Sequence, residues 1–311
     1  MTEKWCAVHT LPFNEVFKLS IDPALPKGGV DTDSAGNYNT HSPILSAVLP
    51  PVNAILNTIY AIRKMQILLT NDDGIFAPGL AAIYKELVKM GDVMVVAPAE
   101  SRSGASHSIT YHHPLVCNKV DINGQFTGFS VQGSPADCVK LAAMQLHDGP
   151  IDLLVAGINK GANAGINVYY SGTVAAAMEG AFLKIPAVAM SLSFEEQMDF
   201  EKAAHHCTRI LKKLMPVKKG EVININIPQL SKGEPKGVRV VPQSSKGFDE
   251  YYIRQKNEQG QTVFQLAGNG HRIDGTPTDT TSLEEGYITV TALAPDMTDH
   301  HKTRELRQIK W

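Results

Sequence analysis

The stretch Q-I-L-L-T-N-D-D-G, from Gln66 to Gly74, is a short apolar run that opens into a polar loop ending in glycine. Such a run predicts a buried β-strand that ends where the polar residues begin. Apolar residues at helical spacing follow, at Leu80, Ile83 and Leu87, and predict an amphipathic helix. Residues 92–97 form a second apolar run and predict the next strand. Because crossover connections are right-handed, the two strands are expected to be parallel, as in a β-α-β unit.

The same alternation of strand and helix continues to about Pro228. The pattern predicts helices over 135–146, 173–183 and 200–214, and strands over 151–156, 187–191 and 221–227. It is typical of an α/β fold with a Rossmann-like, doubly wound, mostly parallel sheet. Beyond this point the helical period disappears, and short β segments are predicted over 237–241, 251–254, 262–266 and 286–293. We therefore expect a core over 65–230 and an appended C-terminal β region with a tail over 231–311.

Composition and charge limit the classes of function. The chain has 311 residues, a net charge of -2 and a pI of about 6.6, so no stable nucleic-acid partner is expected. Its four cysteines are far apart and form no C-x-x-C pair, which argues against a zinc site. Such scattered cysteines are typical of a reducing compartment, so we expect a cytoplasmic protein.

Residues 1–64 differ in character from the rest of the chain. Residues 44–62 carry no charged side chain, but Pro50-Pro51 and two asparagines interrupt them, so no membrane span is expected. Three interpretations stay open for the segment: a poorly ordered leader or start-site extension, a segment that associates with a partner or membrane, or additional structure. The folded domain is expected to begin near Met65.

Three polar loops are expected to converge, because ligands of an open parallel sheet bind beyond the carboxyl ends of its strands. One loop carries the adjacent carboxylates Asp72 and Asp73. Two neighbouring carboxylates repel each other unless a cation lies between them. Together with serine and asparagine oxygens from the other loops, they favour Mg²⁺ or Mn²⁺. The alternative is that one aspartate only caps a turn or the next helix.

A second signal is Ser171-Gly172-Thr173, which precedes an alanine-rich helix. The free backbone N–H groups and the positive dipole end of such a helix form a site for phosphate. A plain N-cap by Ser171 or Thr173 is the alternative, and the two roles are compatible.

Several motifs in order resemble the SurE family, the survival protein E group of 5'-nucleotidases and acid phosphatases. They are I-L-L-T-N-D-D-G from Ile67, V-V-A-P from Val95, R-S-G-A-S from Arg102, G-S-P-A-D-C-V from Gly133, G-I-N from Gly157 and Y-S-G-T-V-A-A-A-M-E-G from Tyr170. The resemblance spans residues 65–298. It implies hydrolysis of nucleoside 5'-monophosphates (and 3'), with one divalent metal per subunit in a homodimer or homotetramer.

The resemblance also implies the roles of individual residues. The metal ligands would be Asp72, Asp73, Ser103 and Asn159, of which Asp72, Asp73 and Asn159 would also be catalytic. Asn71, Ser171, Gly172 and Thr173 would bind phosphate. The chain departs from the family pattern at Ala162, Ile166 and Asn167, where a proline and acidic residues are usual.

Direct attack by water is favoured, because the two adjacent aspartates are not the D-x-D of aspartyl-phosphate phosphatases. His107 is either a general acid or a solvated loop residue, and the sequence favours the second. Two rival functions stay open: a broad acid phosphatase or exopolyphosphatase, and a non-catalytic nucleotide-binding module. No G-x-S-x-G, P-loop or G-x-G-x-x-G motif occurs, which argues against a serine hydrolase, an NTPase and a dinucleotide dehydrogenase.

Overall fold

The computed structural model describes residues 63–245, 248–271 and 276–311. Their strands are β1 (Met65–Thr70), β2 (Gly91–Pro98), β3 (Cys117–Ile122), β4 (Phe126–Val131), β5 (Leu153–Lys160), β6 (Ala187–Leu192), β7 (Val222–Ile227), β8 (Val238–Val240), β9 (Phe248–Lys256), β10 (Thr262–His271) and β11 (Ile288–Leu293). Their α-helices are α1 (Pro78–Leu87), α2 (Pro135–Leu141), α3 (Gly172–Phe182), α4 (Phe200–Leu214), α5 (Asp279–Glu284) and α6 (His300–Leu306). A π-helical turn, Ala142–Leu146, extends α2.

Nine of these strands form one sheet in the order β3-β4-β2-β1-β5-β6-β7-β11-β8. The central strands, from β4 through β2, β1, β5 and β6 to β7, are parallel to their neighbours, whereas β3 and β11 pair antiparallel with β4 and β7. The prediction of a mostly parallel α/β sheet is therefore confirmed. All of the predicted helices and strands up to β7 are present.

Helices cover both faces of the sheet, as a doubly wound fold requires. On one face α1 and α4 pack on each other and on the sheet through buried residues such as Leu80, Ile83 and Leu211. On the other face α2 and α3 pack together, with Val139 and Ala177 fully buried. These two cores fix the carboxyl ends of β1, β2 and β5 at a single edge.

The structure also contains elements that the sequence did not predict. The β3–β4 hairpin extends one end of the sheet, and α5 and α6 lie in the region where the helical period is lost. The β segments predicted over 237–241 and 286–293 are present as β8 and β11. Strand β11 joins the large sheet beside β7, and β8 pairs with β11. The predicted β segments around the turn at Asn257 form a separate two-stranded hairpin, in which the Gly260 amide donates to the Asn257 carbonyl at 2.9 Å.

The expectations for residues 1–64 concern a segment that, except for Arg63 and Lys64, lies outside the described residues. Arg63 forms an ion pair of 2.5 Å with Asp152. Within the described part of the chain, no helix has the length and apolar character needed to cross a bilayer.

Candidate active site

The loops after β1, β2 and β5 meet the N-terminus of α3 around one cavity of about 230 Å³. The predicted convergence of polar loops is present in the structure. Among the predicted residues, the cavity is lined by Asp72, Ser103, Asn159 and Ser171. Residues separated by up to about a hundred positions in the chain thus share one small space.

Asp72 lies at the floor of this arrangement and is only 3% exposed. Its Oδ1 accepts a hydrogen bond from the Thr173 hydroxyl, and its backbone carbonyl accepts from the Arg102 amide at 2.7 Å. Burial raises the pKa of Asp72 to about 6; the Thr173 hydrogen bond opposes this rise, and the charge of Asp73 adds to it. Asp72 therefore joins the β1 loop, the Ser103 loop and α3.

Asp73 is half-buried beside it. Its Oδ2 accepts a hydrogen bond of 2.9 Å from the backbone amide of Lys160. Burial raises the pKa of Asp73, and the Lys160 amide and ammonium oppose that rise. The two adjacent carboxylates thus carry a concentration of negative charge that protein groups only partly balance.

Ser103 and Asn159 add neutral oxygen atoms to the carboxylate pair. The Ser103 hydroxyl lies 3.1 Å from that of Ser101. The Asn159 side-chain nitrogen donates to the Gly161 carbonyl at 2.9 Å, so Oδ1 is the atom that stays available as an acceptor. Among the described residues no three His, Cys, Asp or Glu side chains form a metal-binding group. The donors are instead carboxylate, hydroxyl and amide oxygens beside uncompensated charge, a set that fits a hard divalent cation.

The N-terminus of α3 opens onto the same cavity. Ser171 caps the helix, and its hydroxyl accepts from the Val174 amide at 3.0 Å. Gly172 packs so closely on Asp72 that a Cβ atom would lie 2.8 Å from the Asp72 Cβ and 3.1 Å from the Pro135 side chain. The predicted capping is present, and the backbone amides at this end of the helix lie beside the aspartate.

Asn71 holds the β1 loop. It is fully buried, its side-chain nitrogen donates to the Gly74 carbonyl at 2.8 Å, and it is not among the residues that line the cavity. Its Oδ1 has no hydrogen-bond partner among the described residues.

Two buried carboxylates that the sequence did not single out brace the loops of the site. Asp137 accepts from the backbone and hydroxyl of Thr110 and from the Ser134 amide, which fixes the segment after Ser103 to α2. Asp279, which is fully buried, accepts from the Gly165 amide and from the Ser244 amide, each at 2.8 Å. Asp137 lies in the motif G-S-P-A-D, which the sequence analysis noted, whereas no motif includes Asp279.

His107 is an exposed loop residue, as expected, and it also contacts α3. Its Nε2 lies 2.9 Å from the carboxylate of Glu179 on α3, and its ring stacks on Phe182. Glu179 also pairs with Lys140 of α2 at 2.8 Å. Burial would raise the pKa of Glu179, but the bonds from His107 and Lys140 outweigh it and lower the pKa. These contacts connect the Ser103 loop to α3 and α2.

Comparison with known proteins decides the family. The model of the family described as Survival protein SurE matches residues 67–250. The chain belongs to the SurE family. It is 41% identical over 249 residues to a protein named 5'-nucleotidase SurE from Syntrophus aciditrophicus, which covers 79% of this chain and 94% of that protein. A protein of the same name from Rhodopirellula baltica is 41% identical over 247 residues, covering 78% and 98%.

A solved SurE protein from Aquifex aeolicus has a similar fold. It superposes with a TM-score of 0.68 at 35% identity, and the match covers 78% of this chain and 98% of that one. The range matched by the SurE family model contains Asp72, Asp73, Ser103 and Asn159 together with the N-terminus of α3.

Proposed function

We propose that this SurE-family protein is a divalent-metal-dependent 5'-nucleotidase, which hydrolyses nucleoside 5'-monophosphates, and also 3'-monophosphates, to nucleoside and phosphate. The relatives at 41% identity carry the name 5'-nucleotidase. The observation that carries the proposal is the adjacent carboxylates of the buried Asp72 and the half-buried Asp73. Asp72 packs against the N-terminus of α3, and Ser103 and Asn159 line the same cavity. A carboxylate pair suits a cation and a helix N-terminus suits a phosphate, so together they fit a phosphate ester.

The cofactor proposed is one divalent metal per subunit, Mg²⁺ or Mn²⁺, held by Asp72, Asp73, Ser103 and Asn159. When bound, it supplies positive charge that polarises a phosphoryl oxygen and lowers the pKa of water. The Asp72 pKa of about 6 means that this carboxyl is ionised at neutral pH. Thr173 and the Lys160 amide each hold one carboxylate in a fixed orientation.

The protein groups orient the substrate. The backbone amides of Ser171, Gly172 and Thr173 at the start of α3 would donate to phosphoryl oxygens, and stabilise the charge that they gain in the transition state. Water, rather than an aspartate, attacks the phosphorus. Its oxygen forms the new P–O bond as the bond to the nucleoside oxygen breaks and that oxygen takes a proton. Removing the Asp72 or Asp73 carboxylate should therefore abolish turnover.

A homodimer or homotetramer in the cytoplasm completes the proposal. The β9–β10 hairpin exposes large apolar side chains, including Tyr252 at 67%, Phe264 at 61% and Leu266 at 53%, which is typical of a surface that another copy covers. Cys138 and Cys207 are buried free thiols, as a reducing compartment allows. Light scattering on the purified chain measures its oligomeric state, and a monomer at the concentration used in the activity assay would contradict the proposed homodimer or homotetramer.

The experiment for the activity is phosphate release from 5'- and 3'-nucleoside monophosphates, p-nitrophenyl phosphate and short polyphosphate, each with Mg²⁺, Mn²⁺ or EDTA. We expect metal-dependent turnover that is fastest on 5'-nucleotides and absent from D72A and D73A. Equal rates on all substrates would indicate a broad phosphatase. Nucleotide binding without turnover under any condition would indicate a binding module.

A further inference from the structure

A second cavity adjoins the one that is lined by Asp72, Ser103 and Asn159. It encloses about 240 Å³, and Ala162 lines both cavities, so the two meet there. Its lining combines the apolar side chains of Pro228 and Leu283 with the polar or charged side chains of Ser193, Gln229, Lys232, Thr280 and Glu284. A small aromatic heterocycle binds where apolar surface and hydrogen-bonding groups occur together.

An exposed aromatic residue, Phe194, follows Ser193, which lines this second cavity. Phe194, next to Ser193, is 61% exposed. Its backbone is fixed, since the Gln229 side-chain nitrogen donates to the Phe194 carbonyl at 2.7 Å. The neighbouring Glu195 is only 7% exposed and accepts from the Ser231 amide at 2.9 Å. The loop after β6 is thus tied to the loop after β7 while the phenyl ring is left available to solvent.

Lys160 connects this ring to the carboxylate pair. Its backbone amide donates to Asp73, and its ammonium lies 5.5 Å from the centre of the Phe194 ring. Lys160 therefore lies between the carboxylate pair and the aromatic ring, with its backbone amide at Asp73 and its ammonium near Phe194. Exposed aromatic side chains are surfaces on which nucleobases stack.

We propose that the second cavity and Phe194 form the nucleobase subsite, with the base stacked on Phe194 and Lys160 beside the ribose and phosphate. This inference rests on the proposed function and names the part of the site that would recognise the base. A larger cavity of about 590 Å³ meets the site at Ser171 on the other side. There the Phe182 ring is already stacked on His107, and no lysine or arginine is among the described residues that line the cavity.

The test compares two substrates that differ only in the base, AMP and ribose 5-phosphate, on wild type, F194A, F194W and Y111A. Tyr111 is also an exposed aromatic residue, at 85%, and lines a different cavity, so Y111A is the control. F194A should lower kcat/KM for AMP roughly 5- to 150-fold, mainly through KM, because base stacking on an aromatic side chain has that value. F194A should turn over ribose 5-phosphate at the wild-type rate. F194W should have the wild-type kcat/KM for AMP, because its ring can stack on the base.

An equal fall for both substrates, or no fall for AMP, would overturn the subsite. So would selective loss of AMP turnover in Y169A, because Tyr169 lines the larger cavity. Calorimetric binding of AMP to wild type and F194A tests the subsite separately from the activity. Weaker binding by F194A supports the subsite even if the protein hydrolyses nothing. Unchanged binding overturns it even if the nucleotidase proposal holds.

Discussion

Replacing Asp72 by asparagine should make the metal-free protein more stable while it destroys the proposed activity. Asp72 is nearly fully buried and carries its charge beside Asp73. Asparagine has the same shape, and its amide oxygen can still accept from the Thr173 hydroxyl. The substitution therefore removes the buried charge and leaves the packing of Gly172 against this side chain in place.

The size of the effect follows from the pKa of Asp72, which burial raises from 3.8 to about 6. Each pH unit between the unfolded and folded values corresponds to about 1.4 kcal/mol. Because the folded-state value is the higher one, the cost is absent below pH 3.8, grows with pH, and is complete above pH 6. Its full size is about 3 kcal/mol, or about half of that at pH 5. In a domain of this size that is a shift of roughly 6–12 °C in Tm.

The assay is urea and thermal unfolding of wild type and D72N in EDTA at pH 5 and pH 8, repeated with Mg²⁺. D72N should be more stable in EDTA, by more at pH 8 than at pH 5, and Mg²⁺ should stabilise only wild type. D137N is the matched control: Asp137 accepts three hydrogen bonds, so its asparagine variant should lose about 1–3 kcal/mol at both pH values. Equal or lower stability of D72N at pH 8 would refute the reasoning.

Two further predictions concern α3. G172A should lose most activity but keep its circular dichroism spectrum, because the new methyl group would lie 2.8 Å from the Asp72 Cβ and must displace the carboxylate or the helix start; wild-type kcat/KM would contradict this. E179Q should lower the free energy of unfolding at pH 7 by roughly 1–2 kcal/mol, since its partners His107 and Lys140 are partly exposed. The lowered pKa of Glu179 contributes stability above about pH 4.5 that disappears as the pH falls, so urea midpoints of the two proteins should converge toward pH 4 and below.

The sequence predicted the parallel core because each of its strands is a short apolar run next to a helix with clear 3.6-residue spacing. The β3–β4 hairpin has no such signal: the run C-N-K-V-D-I in β3 has only one fully buried side chain, Ile122. Helix α5 was missed for a related reason. Its sequence D-T-T-S-L-E has low helix propensity, and its start depends on a capping box at Thr278 and on the buried Asp279.

Within the candidate site, the residues next to strand ends were predictable from the sequence. The distant residues that hold their loops in place by hydrogen bonds were not. Asp72 and Ser171 follow local rules for strand ends and helix starts. The contact of His107 with Glu179 joins positions 72 residues apart, and that of Gly165 with Asp279 joins positions 114 apart. No periodicity connects such positions, because the folded sheet alone brings them together. No motif in the sequence marks Lys160, whose amide donates to Asp73 and whose ammonium lies 5.5 Å from the centre of the Phe194 ring.

The most direct test of the account is phosphate release from AMP by the wild-type protein, first in EDTA and then after Mg²⁺ or Mn²⁺ is added back in excess. The account predicts no turnover in EDTA, full recovery with the metal, and no recovery in D72N. Turnover that continues in EDTA, or a D72N variant that hydrolyses AMP at the wild-type rate, would contradict a metal-dependent nucleotidase built on Asp72.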